Sequence, residues 1–179
     1  MRGIPGSGKS FTARNILKTY GENLEPKNHI FAADDFFYRM VNPDHPEEYN
    51  FRPNLLKEAH KWNYLRIQDA LINKVDPIIV DNTHKSLWES KDVVLLGIAH
   101  SYDIRFEYPT SPWWNEIEEY LTNFRQNKNE LRELARLLTE KTTHNIPEHV
   151  IWRFMASWVP REEYTVENVL ESEKPNWAK

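Results

Sequence analysis

Gly3-Ile4-Pro5-Gly6-Ser7-Gly8-Lys9-Ser10 fits the pattern G-x-x-x-x-G-K-[ST] and stands almost at the start of a 179-residue chain. Such a loop can turn its backbone N–H groups inward, because glycine adopts conformations that other residues avoid and lets a ligand approach without a Cβ in the way. At the start of a helix those N–H groups form an anion site, and the helix dipole adds to it. The pattern predicts a loop wrapped around the phosphates of ATP or another nucleoside triphosphate, built from Gly3, Pro5, Gly6, Ser7, Gly8, Lys9, Ser10 and Phe11. Lys9 is expected at the β and γ phosphates, and the Ser10 hydroxyl on Mg2+.

Outward from the loop, Phe11, Ala13, Ile16 and Leu17 follow a mostly helical spacing over residues 9–20, and Gly21 stops the helix. Residues 28–33 read as a short buried strand that runs into Asp34-Asp35, and residues 77–81 as a second one that ends in Asp81. Between them lie a loop over 38–53, with Pro43, Pro46 and Pro53, and a helix over 54–73 carrying Leu55, Ala59, Trp62, Leu65, Ala70 and Leu71 at helical period. A helix over 87–100 leads to a third strand over 103–108, and the prolines of 109–112 break the chain. Alternating helices and strands predict an α/β fold, a parallel sheet with flanking crossover helices. Residues 114–141 read as one or two helices, and 147–158 as another with Pro147 in its first turn. A final strand or helical turn is expected over 164–170. The whole of 1–179 is expected to be a single domain, with a C-terminal helical lid at about 113–147.

Hydrophobic residues make up 40% of the chain and charged ones 28%, which suits one sizeable core. The net charge is −4, so any polyanion site must be a local basic patch. One candidate is the stripe of Arg125, Lys128, Arg132 and Arg136, which falls within roughly an 80° arc of a helix. There is no cysteine and no apolar run of bilayer length, so an intracellular address, cytoplasmic or nuclear, and no membrane partner are expected.

Asp34 and Asp35 are either helix caps after a strand or, for one of them, the carboxylate that takes a proton from an acceptor hydroxyl. Asp81 is either a strand-end cap or a holder of Mg2+ or its water. His84 is a polar contact to ligand or a solvated loop residue, and His60 and Trp62 sit on a helix whose period already explains burial.

These stretches resemble the polynucleotide-kinase-like branch of P-loop proteins, which includes the phage 5′-polynucleotide kinase domain and the animal Nedd-four-binding-protein-two group. The resemblance is carried by residues 2–10, by Ala33-Asp34-Asp35-Phe36-Phe37, by Ala59-His60-Lys61-Trp62-Asn63 and by Ile78-Ile79-Val80-Asp81-Asn82-Thr83, with weaker matches at Trp113-Trp114, His144-Asn145-Ile146-Pro147 and Trp158. It implies that the α/β fold is of the P-loop kinase-like kind and that the chain is an ATP-binding, Mg2+-dependent transferase that moves a γ-phosphoryl to a nucleic acid 5′-hydroxyl, with a single-stranded 5′ end as partner. It also implies that Asp34 is the general base and that Asp35, Asn82, Thr83 and His84 line the acceptor. A lid cation, Lys141, Arg136 or Arg132, is placed over the phosphates with Lys9. Phe37 stands where the phage enzyme has an arginine, and Phe11 where a threonine is usual. Two other readings are kept: a small-molecule kinase, and a nucleotide-binding interaction module with little turnover. Only Met1-Arg2 precede the loop, so the first strand of the expected sheet is predicted to be truncated.

Overall fold

Pro26 occupies the first turn of a four-residue helix, Pro26–His29, and that turn takes the residues the sequence offers as the opening of a strand. The Ile30 N–H caps it by donating to the Pro26 carbonyl. Only Ile30–Phe31 remain as strand β1. A computed structural model describes residues 1–40 and 44–176, so Pro43 of the expected loop and residues 177–179 of the tail lie outside the described residues. In chain order the elements are α1 (Lys9–Tyr20), α2 (Pro26–His29), β1 (Ile30–Phe31), α3 (Asp35–Arg39), α4 (Leu56–Ile72), β2 (Ile79–Val80), α5 (Trp88–Ala99), α6 (Pro112–Thr122), α7 (Lys128–Lys141), α8 (Glu148–Ala156) and α9 (Val166–Glu171). Short 3₁₀ turns stand at Pro53–Leu55 and Arg161–Glu163. The chain forms two compact units, one of Met1–Thr12 with Thr83–Lys179 and one of Ala13–Asn82.

The second unit holds the sheet described. Strands β1 and β2 pair in parallel, Ile30 with Ile79 and Phe31 with Val80, and Asp81 N–H donates to the Phe31 carbonyl at 2.9 Å. Helix α4, with Ala59, Ile67, Ala70 and Leu71 buried, lies against β1, and α3 lies against α4, its Phe37 meeting Phe51 edge-on at 4.9 Å. Leu65, counted in the apolar set of that helix, is 52% exposed because it lies off the buried face.

The first unit is helical. In α7, Leu131, Leu134, Ala135 and Leu138 are buried at spacings of three, one and three, the stripe an amphipathic helix turns to a core. They join Trp114, Ile117 and Leu121 of α6, Ile151 and Met155 of α8, and Ile4 from the glycine loop in one cluster. A smaller cluster sets Val94 of α5 against Tyr164 and Val169. Pro147 stands at the N-cap of α8 rather than inside its first turn.

The expected multi-strand parallel sheet of a P-loop kinase-like fold is therefore corrected: the described residues are mostly helical, and the sheet among them has two strands of two residues each. Residues 103–108 show why. Their burial alternates, with Asp103, Arg105 and Glu107 exposed and Tyr108 buried, but Ile104 and Phe106 pack on the core of α5 and α9 and the segment enters no ladder. Nor do residues 1–3 form a strand. They are buried, with Arg2 N–H donating to the Glu107 carbonyl at 2.7 Å and Gly3 N–H to the Thr83 carbonyl at 3.2 Å.

Tyr164 makes this unit sensitive to alkali. Its hydroxyl donates to the Ser86 carbonyl at 3.1 Å and lies 2.7 Å from the Ser90 hydroxyl, and burial pushes the phenol up to about 12. A phenol whose pKa is raised on folding contributes stability that is complete below the unfolded value of 10.0 and is lost as pH rises towards 12. Denaturant titrations between pH 9 and pH 12 should show about 2–3 kcal/mol lost from this source. Tyr164→Phe should start less stable at pH 9 and decline less steeply; an unchanged slope would remove Tyr164 as the cause.

Candidate functional site

Two backbone conformations shape the glycine loop: Gly6 has φ +81° and Gly8 has φ +89°, both in the left-handed region. Ser7 N–H closes a turn by donating to the Ile4 carbonyl at 3.0 Å, and Ile4 is anchored in the core. The next two carbonyls are fixed from the start of α6. Trp113 Nε1–H donates to Gly6 O at 3.1 Å, and the Ser111 hydroxyl donates to Ser7 O at 2.8 Å. Because a trans peptide is planar, holding the Ser7 carbonyl towards Ser111 aims the Gly8 N–H the opposite way. Thr12 N–H makes the first bond of α1, to Gly8 O at 3.0 Å, so the N–H groups of Gly8, Lys9, Ser10 and Phe11 have no acceptor within the helix. The loop thus offers a row of donors at a positive helix end.

Side chains add to that field. Lys9 folds its stem across Gly3, where a Cβ would stand 2.7 Å from Lys9 Cγ. Lys141, in the last turn of α7, holds its ammonium 5.1 Å from the centre of the Trp113 ring. The same turn abuts the loop, since a Cβ on Gly6 would meet the Leu138 carbonyl oxygen at 2.3 Å. Ser7 Oγ is buried with no hydrogen-bond partner. Thr12 and Thr110 tie the first turn of α1 to the segment before α6, with Thr110 N–H donating to Thr12 Oγ1 at 3.0 Å. Ser10 and Phe11 are exposed, Phe11 at 64%.

Of the other residues singled out in the sequence, Thr83 and His84 belong to this unit. His84 is buried, has φ +45°, and donates from Nδ1 to the Met1 carbonyl at 3.1 Å, so it serves the interior rather than an open surface. Arg136 directs its guanidinium to Glu133 at 2.8 Å and lies 3.8 Å from Glu148, so acids on α7 and α8 already answer its charge. Lys128 and Arg132 are exposed on α7, and Arg125 lies before it.

Asp34, Asp35, Asp81 and Asn82 belong to the other unit. Asp34 is exposed at the N-cap of α3 and accepts from the Tyr49 hydroxyl at 3.1 Å. Burial, with the Asp34 charge beside it, pushes the Tyr49 phenol far up. Asp35 pairs with Arg66 at 3.0 Å, and Arg66 in turn lies 4.4 Å from the centre of the Trp62 ring. Asp81 is 7% exposed and its Oδ1 has no hydrogen-bond partner, the condition of a carboxylate suited to a cation. Asn82 Oδ1 accepts from Ala33 N–H at 3.0 Å.

Ser111 and Trp113 hold the loop, and sequence reasoning gave neither a part in it, although Trp113 stands among the weaker matches of the resemblance. Ser111-Pro112 reads as a helix start, and nothing local shows that its hydroxyl reaches a loop about a hundred residues away.

The family described as AAA domain matches residues 1–156, a span that includes the glycine loop. The chain belongs to that family. Among individual proteins, human NEDD4-binding protein 2 is 40% identical over 114 residues, which cover 64% of this chain and 6% of that protein. No solved structure matches the chain.

These findings correct the resemblance to the polynucleotide-kinase-like branch. The matching family is the AAA domain, and the two-stranded sheet is not the core that branch implies. Phosphoryl transfer to a 5′-hydroxyl, or to a small molecule, loses its basis for the same reason: the chemistry presupposed strands aligned so that their ends converge on one site. The descriptions kinase and transferase, and ATP binding as a deduction from that architecture, fall with it.

Proposed function

We propose that the loop of the first unit binds the phosphate chain of a nucleoside triphosphate, ATP in the first instance, and that the chain acts as a binding module. The observation that supports this most is the pinning of the Gly6 and Ser7 carbonyls by Trp113 and Ser111, which leaves the N–H groups from Gly8 to Phe11 as open donors. Lys9 supplies a charge beside them, and hydrogen bonds to an ionised ligand are roughly twice as strong as neutral ones. The loop has donors on one side and no carboxylate among its residues, so its chemistry suits an anion.

Mg2+ would be taken by oxygen ligands. The Ser10 hydroxyl is the one the loop itself offers. The ion would neutralise phosphate charge.

Calorimetric titration with MgATP and with inorganic tripolyphosphate tests this reading. Wild type should bind both saturably, and Lys9→Ala should weaken each by about tenfold or more, the worth of one charged hydrogen bond. Absence of saturable binding at millimolar ligand would sink the proposal.

A further inference from the structure

The loop's donor geometry is set from two helices that lie far from it in sequence. Trp113 touches the loop in two ways: its Nε1–H holds the Gly6 carbonyl, and its ring faces the Lys141 ammonium. Ser111, two residues earlier at the N-cap of α6, holds the adjacent carbonyl. The Leu138 carbonyl stands where a side chain on Gly6 would go, so the last turn of α7 leaves the loop little room to relax. We infer that Ser111 and Trp113 are positioning residues for anion binding: Ser111 orients the Ser7–Gly8 peptide, whose N–H is open to the phosphates, Trp113 fixes the Gly6–Ser7 peptide immediately before it, and Trp113 also stations Lys141 beside them.

This inference rests on the phosphate-chain reading above, and it has consequences in the ligand-free protein as well. A carbonyl freed from its donor lets its peptide rotate, and the row of N–H groups then no longer converges. Trp113→Phe keeps a ring for Lys141 and deletes only the N–H. Ser111→Ala deletes the other donor, and Ser111→Thr restores a hydroxyl at the same place.

The test has two arms on the intact chain. In titrations with inorganic tripolyphosphate, Trp113→Phe and Ser111→Ala should each bind about five- to tenfold more weakly, as expected for one lost hydrogen bond, and Ser111→Thr should return to within about twofold of wild type. In the ligand-free arm, amide hydrogen exchange is followed at Ser7, whose N–H is held by Ile4 O. Exchange there should speed up in both deletion variants and not in Ser111→Thr. Affinity and exchange that stay at wild-type values in Trp113→Phe and Ser111→Ala would overturn the inference. If wild type binds no polyphosphate, the phosphate reading fails by itself; faster Ser7 exchange then still supports the pinning, and unchanged exchange removes it.

Discussion

Gly6→Ala should abolish measurable polyphosphate binding, with affinity falling by about a hundredfold or more. Two independent obstacles meet at this position. The φ of +81° lies where an L-residue with a Cβ is disfavoured by about 1–2 kcal/mol. The new Cβ would also stand 2.3 Å from the Leu138 carbonyl oxygen, 3.0 Å from its carbon and 3.1 Å from its Cα. All three are backbone atoms of α7, so no side-chain rotation relieves the clash. Loop or helix must move, and either movement separates Gly6 O from Trp113 Nε1. Together these costs exceed the roughly 2.7 kcal/mol that a hundredfold change represents. Gly21→Ala is the control. Its Cβ would meet only the Leu24 side chain, at 3.3 Å, and its φ is ordinary, so binding should be unchanged. Tripolyphosphate titration of both variants decides the matter, and binding by Gly6→Ala within threefold of wild type would show that the loop does not hold its ligand in this conformation.

What the sequence discloses about this chain is divided by range. Helical period is local, and α1 has the bounds that Phe11, Ala13, Ile16, Leu17 and Gly21 predict, while α4, α5 and α8 differ by a residue or two at their ends. Strand assignment is not local, because a run such as residues 28–33 or 103–108 becomes strand only where a partner backbone lies alongside. Pro26 starts a helical turn that shortens the first run, and Ile104 and Phe106 commit the other to a helical core. The loop is legible as a motif because its glycines are required by its own backbone. Its supports are not: Ser111 and Trp113 act across separations of 104 and 107 residues. His84 shows the same limit from the other side, since a polar residue in a predicted turn proves buried against Met1. The Arg136 pairing with Glu133 was within reach, being three residues apart on one helix, whereas Glu148 comes from the next helix.

Arg2→Leu should be the most damaging substitution to stability in the first unit, lowering it by about 3–5 kcal/mol, the usual cost of breaking a buried polar cluster by removing one partner. Arg2 is fully buried, and its guanidinium is spread over four acceptors. Nε donates to His84 O at 2.9 Å, one terminal nitrogen to the Tyr108 hydroxyl at 2.9 Å, and the other to Val159 O at 2.9 Å and Lys85 O at 3.5 Å. The plane lies 3.3 Å from the centre of the Tyr164 ring and 4.2 Å from that of Trp158. Desolvation pulls the pKa of Arg2 down, yet guanidinium is basic enough to stay charged, so the aromatic faces and carbonyl dipoles are what hold the charge in the interior. Leucine would leave those carbonyls and a phenol buried without donors, at about 1–3 kcal/mol for each group that water cannot reach. Lysine is the informative comparison: its ammonium carries the same charge, but a compact head cannot span a fork of acceptors on several segments. Arg2→Lys should therefore recover little of the loss in urea unfolding. Full recovery would mean that charge alone is needed at this position; continued loss would identify the fork geometry as what joins residues 84–85, 108 and 159 beneath the glycine loop.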